Sequence, residues 1–257
     1  YMEVSRDQNV KAVVLRVNSP GGGVAHSDQI YSLVKKLREV GGKKVVASMG
    51  GIAASGGYYV CAPADAIVAE PTTITGSIGV IMGWMVVKGT LDRIGMETVM
   101  LKSSNARGWK DEISPFKQPD ERQKRHLRKI LDTMQARFEK VVKEGRGQRL
   151  KTNRVSYTVR TGQGEEAREV KITETEPLNG KVYMPDEALA FGLIDKIGYQ
   201  EVAIDRAADL ARLTNPNVVV YRRAKGLLVE LLEAKSASTV RLDASLLDRL
   251  QTPRILM

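Results

Sequence analysis

Ser55 is the residue of this chain best placed to do chemistry. It stands in AASGGYY, Ala53–Tyr59, with two alanines before it and two glycines after it. An apolar run, Lys44–Met49, predicts a buried strand just upstream. Gly50 and Gly51 mark the expected end of that strand, and Ala53–Cys61 predicts a helix. A serine at such a turn lies where unpaired backbone N–H groups point outward. A hydroxyl there can attack a carbonyl, and the oxyanion it creates can be held. The attack needs a base within hydrogen-bond reach. Only two histidines are present, His26 and His126. His26 opens a helix in GGVAHSDQ, and His126 lies in a charged helix, so both read as surface or capping residues. A Ser-His-Asp triad therefore fits poorly. The alternative base is a lysine. A lysine titrates near 10.4 in water and becomes a base near neutrality only when desolvation penalises the ammonium. Lys110, in NARGWKDEISPF, lies in a loop beside Trp109 and close to Ile113, Pro115 and Phe116. Asp111 and Glu112 would hold its charge unless they are directed outward. On the residues alone, a solvated loop lysine is the simpler description.

A second feature is the turn NSPGGG, Asn18–Gly23. Glycines allow positive φ and close backbone approach, so the turn can aim an N–H at an oxyanion or at a phosphate. It is neither a Walker sequence nor G-x-G-x-x-G, which disfavours nucleotide binding. A plain strand-to-helix turn accounts for it equally.

These residues are set in an alternation of strand and helix. Asn9–Val17 predicts a strand, and Ile30, Leu33, Val34 and Leu37 recur at helical spacing up to about Val40. Ala66–Ala69 predicts a strand, Thr75–Met82 an extended segment, Val87–Ile94 a helix and Glu97–Leu101 another strand. Gln118–Glu144 predicts the longest helix, with a buried stripe of Leu127, Leu131, Met134, Phe138, Val141 and Val142. Val155–Arg160 and Glu169–Thr173 alternate like the arms of a β-hairpin. The αβ rhythm then returns over Gly180–Tyr183, Asp186–Phe191, Leu193–Ile197 and Gln200–Leu213. Val218–Tyr221 predicts a late strand and Leu227–Glu233 an amphipathic helix. The pattern predicts an α/β fold with a parallel sheet covered by helices. We expect one catalytic domain over residues 1–213, with an inserted hairpin at 155–174. Residues 214–257 are expected to form a C-terminal extension used in oligomer contacts or partly mobile.

Composition narrows the functional classes. The 257 residues are 42% hydrophobic and 27% charged, enough to bury a core. Aromatics make up only 5%, which disfavours a stacking platform for single-stranded nucleic acid. The net charge of +10 is scattered along helices, and its densest run, Arg122–Lys129, reads as a solvated face. One cysteine, Cys61, excludes an internal disulfide, and two histidines with no C-x-x-C make a zinc site a poor fit. No metal or cofactor is expected. No apolar run reaches the roughly 20 residues of a membrane span. The chain opens with Tyr1 and reads as an excised fragment.

The order strand–NSPGGG–helix–strand–AASGGYY–helix–TGSIGVI–loop lysine resembles the signal peptide peptidase A family, Ser-Lys proteases with a Clp protease/crotonase-like fold. The resemblance runs from about Lys11 to Gly147 and resumes over Leu178–Ala211. It implies stacked parallel-type sheets with surrounding helices. It also implies Ser55 as nucleophile, Lys110 in WKDEISP as general base, and Ser77 in TGSIG as the hydroxyl that orients the lysine. Gly22 and Gly56 match the two oxyanion-hole donors. Substrates would be peptides, in particular remnant signal peptides, other membrane-derived hydrophobic segments and misfolded polypeptides, and not nucleic acid. Ile52, Val80, Ile81, Met82 and Trp84 would suit an apolar peptide, although ordinary core packing explains such residues as well. The resemblance further implies a ring- or dome-shaped homo-oligomer, octamer-like, and a membrane anchor outside this fragment with the catalytic unit on the extracytoplasmic side. The hairpin departs from the family pattern. Two other functions share the fold: a crotonase-type acyl-CoA enzyme and a non-catalytic scaffold. The first needs a CoA site and a placed carboxylate, neither of which is legible in the sequence.

Overall fold

β-Branched and small residues build the centre of the molecule. The computed structural model describes residues 2–161 and 168–221. A short helix, α1 (Met2–Arg6), leads into strand β1 (Ala12–Ser19), helix α2 (Val24–Glu39) and strand β2 (Lys44–Ala54). Helix α3 (Gly56–Cys61) follows, then β3 (Ala66–Ala69), β4 (Ile74–Gly76) and α4 (Lys88–Arg93). The long helix α5 (Glu121–Arg146) precedes the hairpin strands β5 (Asn153–Thr161) and β6 (Arg168–Glu176). The body closes with β7 (Val182–Tyr183), α6 (Pro185–Ala190), β8 (Lys196–Ile197) and α7 (Gln200–Ala211).

The main sheet runs β7-β4-β2-β3-β8, with β1 on the other edge of β2. All its pairs are parallel except β4 with β7. Val46 pairs with Val14 on one side and Ala66 on the other. Ala53 pairs with Ser19 on one side and Thr75 on the other. The first half of β2 is therefore flanked by β3 and the second half by β4. This change of neighbour explains why β2 does not stop at Gly50 and Gly51, as its sequence suggests. The glycines instead make room for the Asn18 side chain, which would lie 3.1 Å from a Cβ at Gly50. Asn18 Oδ1 then accepts from Ile52 N at 3.2 Å and ties the two halves together.

Side chains alternate across β2 as the pleat requires. Val45, Ala47 and Met49 join a core with α2, α3 and α5, while Val46 packs with Ala203 and Ala207 of α7. Cover on both faces is why the strand reads as an unbroken apolar run. Among the described residues the hairpin β5–β6 is a separate antiparallel pair, in register from Asn153↔Glu176 to Thr161↔Arg168.

Two segments depart from expectation. Glu97–Leu101 is irregular and open to solvent, with Leu101 95% exposed. Thr75–Met82 is strand only to Gly76. The chain divides into two compact units, Tyr1–Leu213 and Thr214–Met257. In the second, residues 214–221 have no regular secondary structure, so the strand expected at Val218–Tyr221 is not formed. The helix expected at Leu227–Glu233 lies outside the described residues.

The C-terminal end of α5 is locked into the body by a buried charge. Arg146 is 1% exposed. Its guanidinium donates to Asp195 Oδ1 at 2.8 Å and Oδ2 at 3.0 Å, and its Nε donates to Gly192 O at 2.7 Å. Burial works against ionisation of Asp195. The bonds from Arg146 and Ile67 N, helped by Arg149, outweigh it and hold the carboxyl below its ordinary value. A lowered folded-state value means the contribution is intact above the ordinary carboxylate range and is lost as acid protonates the group. Asp195→Ala leaves the guanidinium buried and unpaired. It should cost about 3–5 kcal/mol, read as a fall in the urea midpoint at pH 7.

Candidate active site

The strand β2 ends in a reversal at Ser55, with φ 51° and ψ −120°. Such a conformation is costly for a residue with a side chain, about 1–3 kcal/mol. It sets the half-buried serine on a sharp strand-to-helix turn. A serine before a helix ordinarily caps it, but Ser55 makes no cap bond to α3. The hydroxyl has no hydrogen-bond partner among the described residues. The backbone is held instead: Ser55 N donates to Gly76 O at 2.9 Å, and Tyr59 N to Ser55 O at 2.9 Å.

The same bond brings Ser77 alongside. Ala54 pairs with Gly76, so the residues that follow them, Ser55 and Ser77, leave the sheet side by side. Ser77 also has φ 51°, and its N–H donates to Lys181 O at 2.8 Å. Buried Thr75 supports the pair by donating from Oγ1 to Ala53 O at 2.7 Å.

The NSPGGG turn closes over Ser55 from the other side. A Cβ on Gly21, whose φ is 117°, would stand 2.9 Å from both Gly56 N and Ser55 Cβ. A Cβ on Gly56 would overlap Ser27 Oγ and lie 3.1 Å from Gly22 N. Gly22 N–H has no acceptor among the described residues. Gly56 N–H is the first of α3, a position with no intrahelical acceptor. Gly22 N and Gly56 thus lie close together at the turn that carries Ser55.

Behind Ser55, Tyr59 OH donates to Asp28 Oδ1 at 2.5 Å, and Arg137 donates to the same oxygen at 2.9 Å. The Tyr59 bond, then Arg137, draw the Asp28 carboxyl below its ordinary value, while burial pushes the Tyr59 phenol up. The network ties α3 to α2 and α5. Cys61 lies in the same helix, but burial pushes its thiol up to about 12, so it is inert.

Lys110 is placed elsewhere. Its φ is 73°, its side chain is exposed, and it has no hydrogen-bond or ion-pair partner among the described residues. Neither Asp111 nor Glu112 pairs with it. Asp111 turns inward to Lys102, Lys117 and Gln123. Gln123 is in the first turn of α5, whereas Gln135 of the same helix donates to Ile78 O, next to Ser77. Twelve residues of helix separate those two anchors by about 18 Å. The structure therefore brings Ser55, Ser77, Gly22 and Gly56 together and leaves Lys110 on a loop docked at the far end of α5. Of the five apolar candidates, Ile52, Val80 and Trp84 are half-buried and Ile81 and Met82 are exposed. None is core.

Comparison with known proteins fits this geometry. The profile of peptidase family S49 matches residues 38–172. The chain belongs to peptidase family S49. It is 36% identical over 220 residues to a protein of Methanocaldococcus jannaschii provisionally named a protease, covering 85% of this chain and 62% of that one. It is 32% identical over 248 residues to an Enterococcus faecium protein provisionally named signal peptide peptidase SppA, covering 96% of this chain and 65% of that one. Protease 4 of Salmonella typhi is 33% identical over 232 residues, 90% of this chain and 33% of that one. The chain thus spans about a third to two thirds of the length of these family members.

Sequence reasoning missed Asp28 and Thr75, whose partners lie far along the chain. Positive φ at Ser55, Ser77 and Lys110 was also invisible, since non-glycine residues rarely adopt it. The glycine contacts separate two substitutions. Gly21→Ala should slow phosphonate modification of Ser55 by about a hundredfold or more, because the turn that carries Gly22 must move away from Ser55 and Gly56. Gly22→Ala meets no atom within 4 Å and keeps its N–H, so its urea stability should stay within about 1 kcal/mol of the parent. Equal loss in both variants would mean that the turn is not packed on Ser55 as described.

Proposed function

We propose that this chain carries the catalytic unit of a Ser-Lys serine endopeptidase with the Clp protease/crotonase-like fold. The observation that supports it most directly is the uncapped Ser55 on a strained turn, with Gly21 packed against it and Gly22 N beside Gly56. In this reading Lys110 accepts the Ser55 Oγ proton as the oxygen attacks a peptide carbonyl. Gly22 and Gly56 N–H groups hold the oxyanion, and Ser77 orients the lysine amine. The protonated lysine then returns the proton to the leaving amine. Water, deprotonated by the same lysine, releases the acyl group.

The substrate is read as a hydrophobic peptide in extended form. Residues 78–82 follow β4 without a ladder partner, so a peptide can add there as a strand. Ile81 and Met82 offer apolar surface beside it. The name of the Enterococcus faecium relative supports remnant signal peptides as the class, with misfolded polypeptides as a second source. No helix among the described residues is long and apolar enough to cross a membrane. Attachment is proposed through a segment outside this sequence, with catalysis on the extracytoplasmic side.

The Lys110 loop and the segment after Ser77 are held at points of α5 about 18 Å apart, and Lys110 makes no hydrogen bond to Ser55 or Ser77 among the described residues. We therefore read the dyad as completed between copies: Lys110 of one chain serves Ser55 of a neighbour. The exposed apolar residues Ile81, Met85, Val99 and Leu101 support such contacts, since a monomer rarely leaves so much apolar surface open. A closed homo-oligomer follows, with the octamer-like ring or dome that the family resemblance suggests.

Ser55→Ala and Lys110→Ala should each lower peptidase activity by about a thousandfold or more. Co-expressed in equal amounts, the two should regain about a quarter of parental activity, because random closed assembly gives one site in four both intact residues. A dyad within one chain would show no recovery. Activity should also rise with pH as the base loses its proton, and a flat profile between about pH 6 and 9 would count against a lysine base.

A further inference from the structure

The loop that carries Lys110 is held by a single carboxylate. Asp111 is 4% exposed and is filled from three directions. Lys102 Nζ reaches its Oδ2 at 2.6 Å, and Lys117 Nζ reaches the same oxygen at 2.9 Å. Gln123 Nε2 donates to Oδ1 at 2.9 Å. Both ends of the loop and the first turn of α5 therefore converge on one residue. Lys102 is fixed further by donating to Arg107 O at 3.0 Å.

The anchor is itself well determined. Gln123 is fully buried, and its Oε1 accepts from Asp120 N at 3.1 Å while Asp120 Oδ1 accepts from Gln123 N at 2.8 Å. This reciprocal cap fixes the amide that faces Asp111. On the other side of Lys110, Gly108 O accepts from Gln123 Nε2 at 2.9 Å and Arg122 Nη2 at 3.1 Å. The Trp109 ring lies 4.6 Å from the Arg122 guanidinium and 5.1 Å from the His126 ring. Lys110 is thus clamped before and after, in a left-handed conformation that only such clamping sustains.

The cage also sorts the lysines. A carboxylate next in sequence would be the natural partner of Lys110, and such a pair would hold the amine protonated. Here both oxygens of Asp111 are taken, and Lys110 is left without a partner among the described residues. The Lys102 bond, then that of Lys117, hold the Asp111 carboxyl far below its ordinary value, so the cage stays ionised at any pH where a lysine base works.

We propose that Asp111 is a positioning residue for Lys110: by saturating itself with Lys102, Lys117 and Gln123 it fixes the loop and keeps the neighbouring amine unpaired. This rests on the reading of Lys110 as general base. The test uses the assembled full chain and a fluorogenic hydrophobic peptide for the kinetics, and a separate Trp84→Phe background, which leaves Trp109 as the only tryptophan, for the quenching measurement. Asp111→Asn should lower kcat by about ten- to a hundredfold with KM within about twofold, as a misplaced base does without loss of binding. Trp109 should become more accessible to acrylamide in the same variant. Lys117→Met, which removes one donor from the more exposed edge, should show the same split at a few-fold, so the proposal stays testable if Asp111→Asn fails to fold. If Lys110→Ala keeps its activity, the reading of the base fails. If Lys110→Ala is inactive while Asp111→Asn keeps kcat within about twofold, or loses activity through KM alone, the positioning role is wrong.

Discussion

Everything near Ser55 depends on one backbone hydrogen bond, from Ser55 N to Gly76 O. It prolongs the β2–β4 ladder by one step past the end of the sheet. That step holds the chain as it turns into a conformation a serine does not choose for itself. The strain has to be over-determined, and the surroundings show how. Gly21 packs on the turn from above with no room for a side chain. Gly57 packs against Ser19 O, where a Cβ would not fit. Tyr59, Asp28 and Arg137 fix the helix below. The glycines of NSPGGG and AASGG are thus two halves of one contact, which explains why both loops are so poor in side chains.

The second organising element is α5. Its C-terminal half belongs to the body through Phe138, Val141, Val142 and Arg146. Its N-terminal turn belongs to the Lys110 loop through Gln123. A helix is stiff over this length, so the two strained sites keep a fixed distance within one chain. Each site is also internally complete. Ser55 has its donors without Lys110, and Lys110 has its clamp without Ser55. The proposed dyad between copies would take one of these parts from each chain.

The sequence revealed the first half well because its determinants are local. Gly-rich turns, an apolar strand and a serine between them lie within a few residues of one another, and the order of motifs brought the family resemblance. The hairpin was legible for the same reason, through alternation in two adjacent runs. The second half was not. On its residues alone, Lys110 could not be told from a solvated lysine, and in one chain it is indeed exposed. Asp111 read as a liability because a neighbour in sequence was taken for a neighbour in space. Its true partners sit six, nine and twelve residues away, and their convergence depends on a helix start that composition only approximates. Gly50 and Gly51 misled for the opposite reason. A glycine pair usually ends a strand, but here tertiary packing of Asn18 uses the missing side chains to carry the strand on.

The charge arrangement around Lys110 follows from the same physics. A lysine base has two requirements that pull against each other. It must be held in place, which favours strong bonds, and it must be free to lose its proton, which forbids a carboxylate partner. Holding the amine directly would satisfy the first and defeat the second. The loop separates the two tasks: the backbone on both sides of Lys110 carries the bonds, and the amine carries none. Two other lysines supply the cations that the buried carboxylate needs. If Lys110 is the base, as proposed, such a division lets its position be set by strong, ion-paired contacts while its amine keeps no partner among the described residues. Its final environment is then left to whatever closes over it.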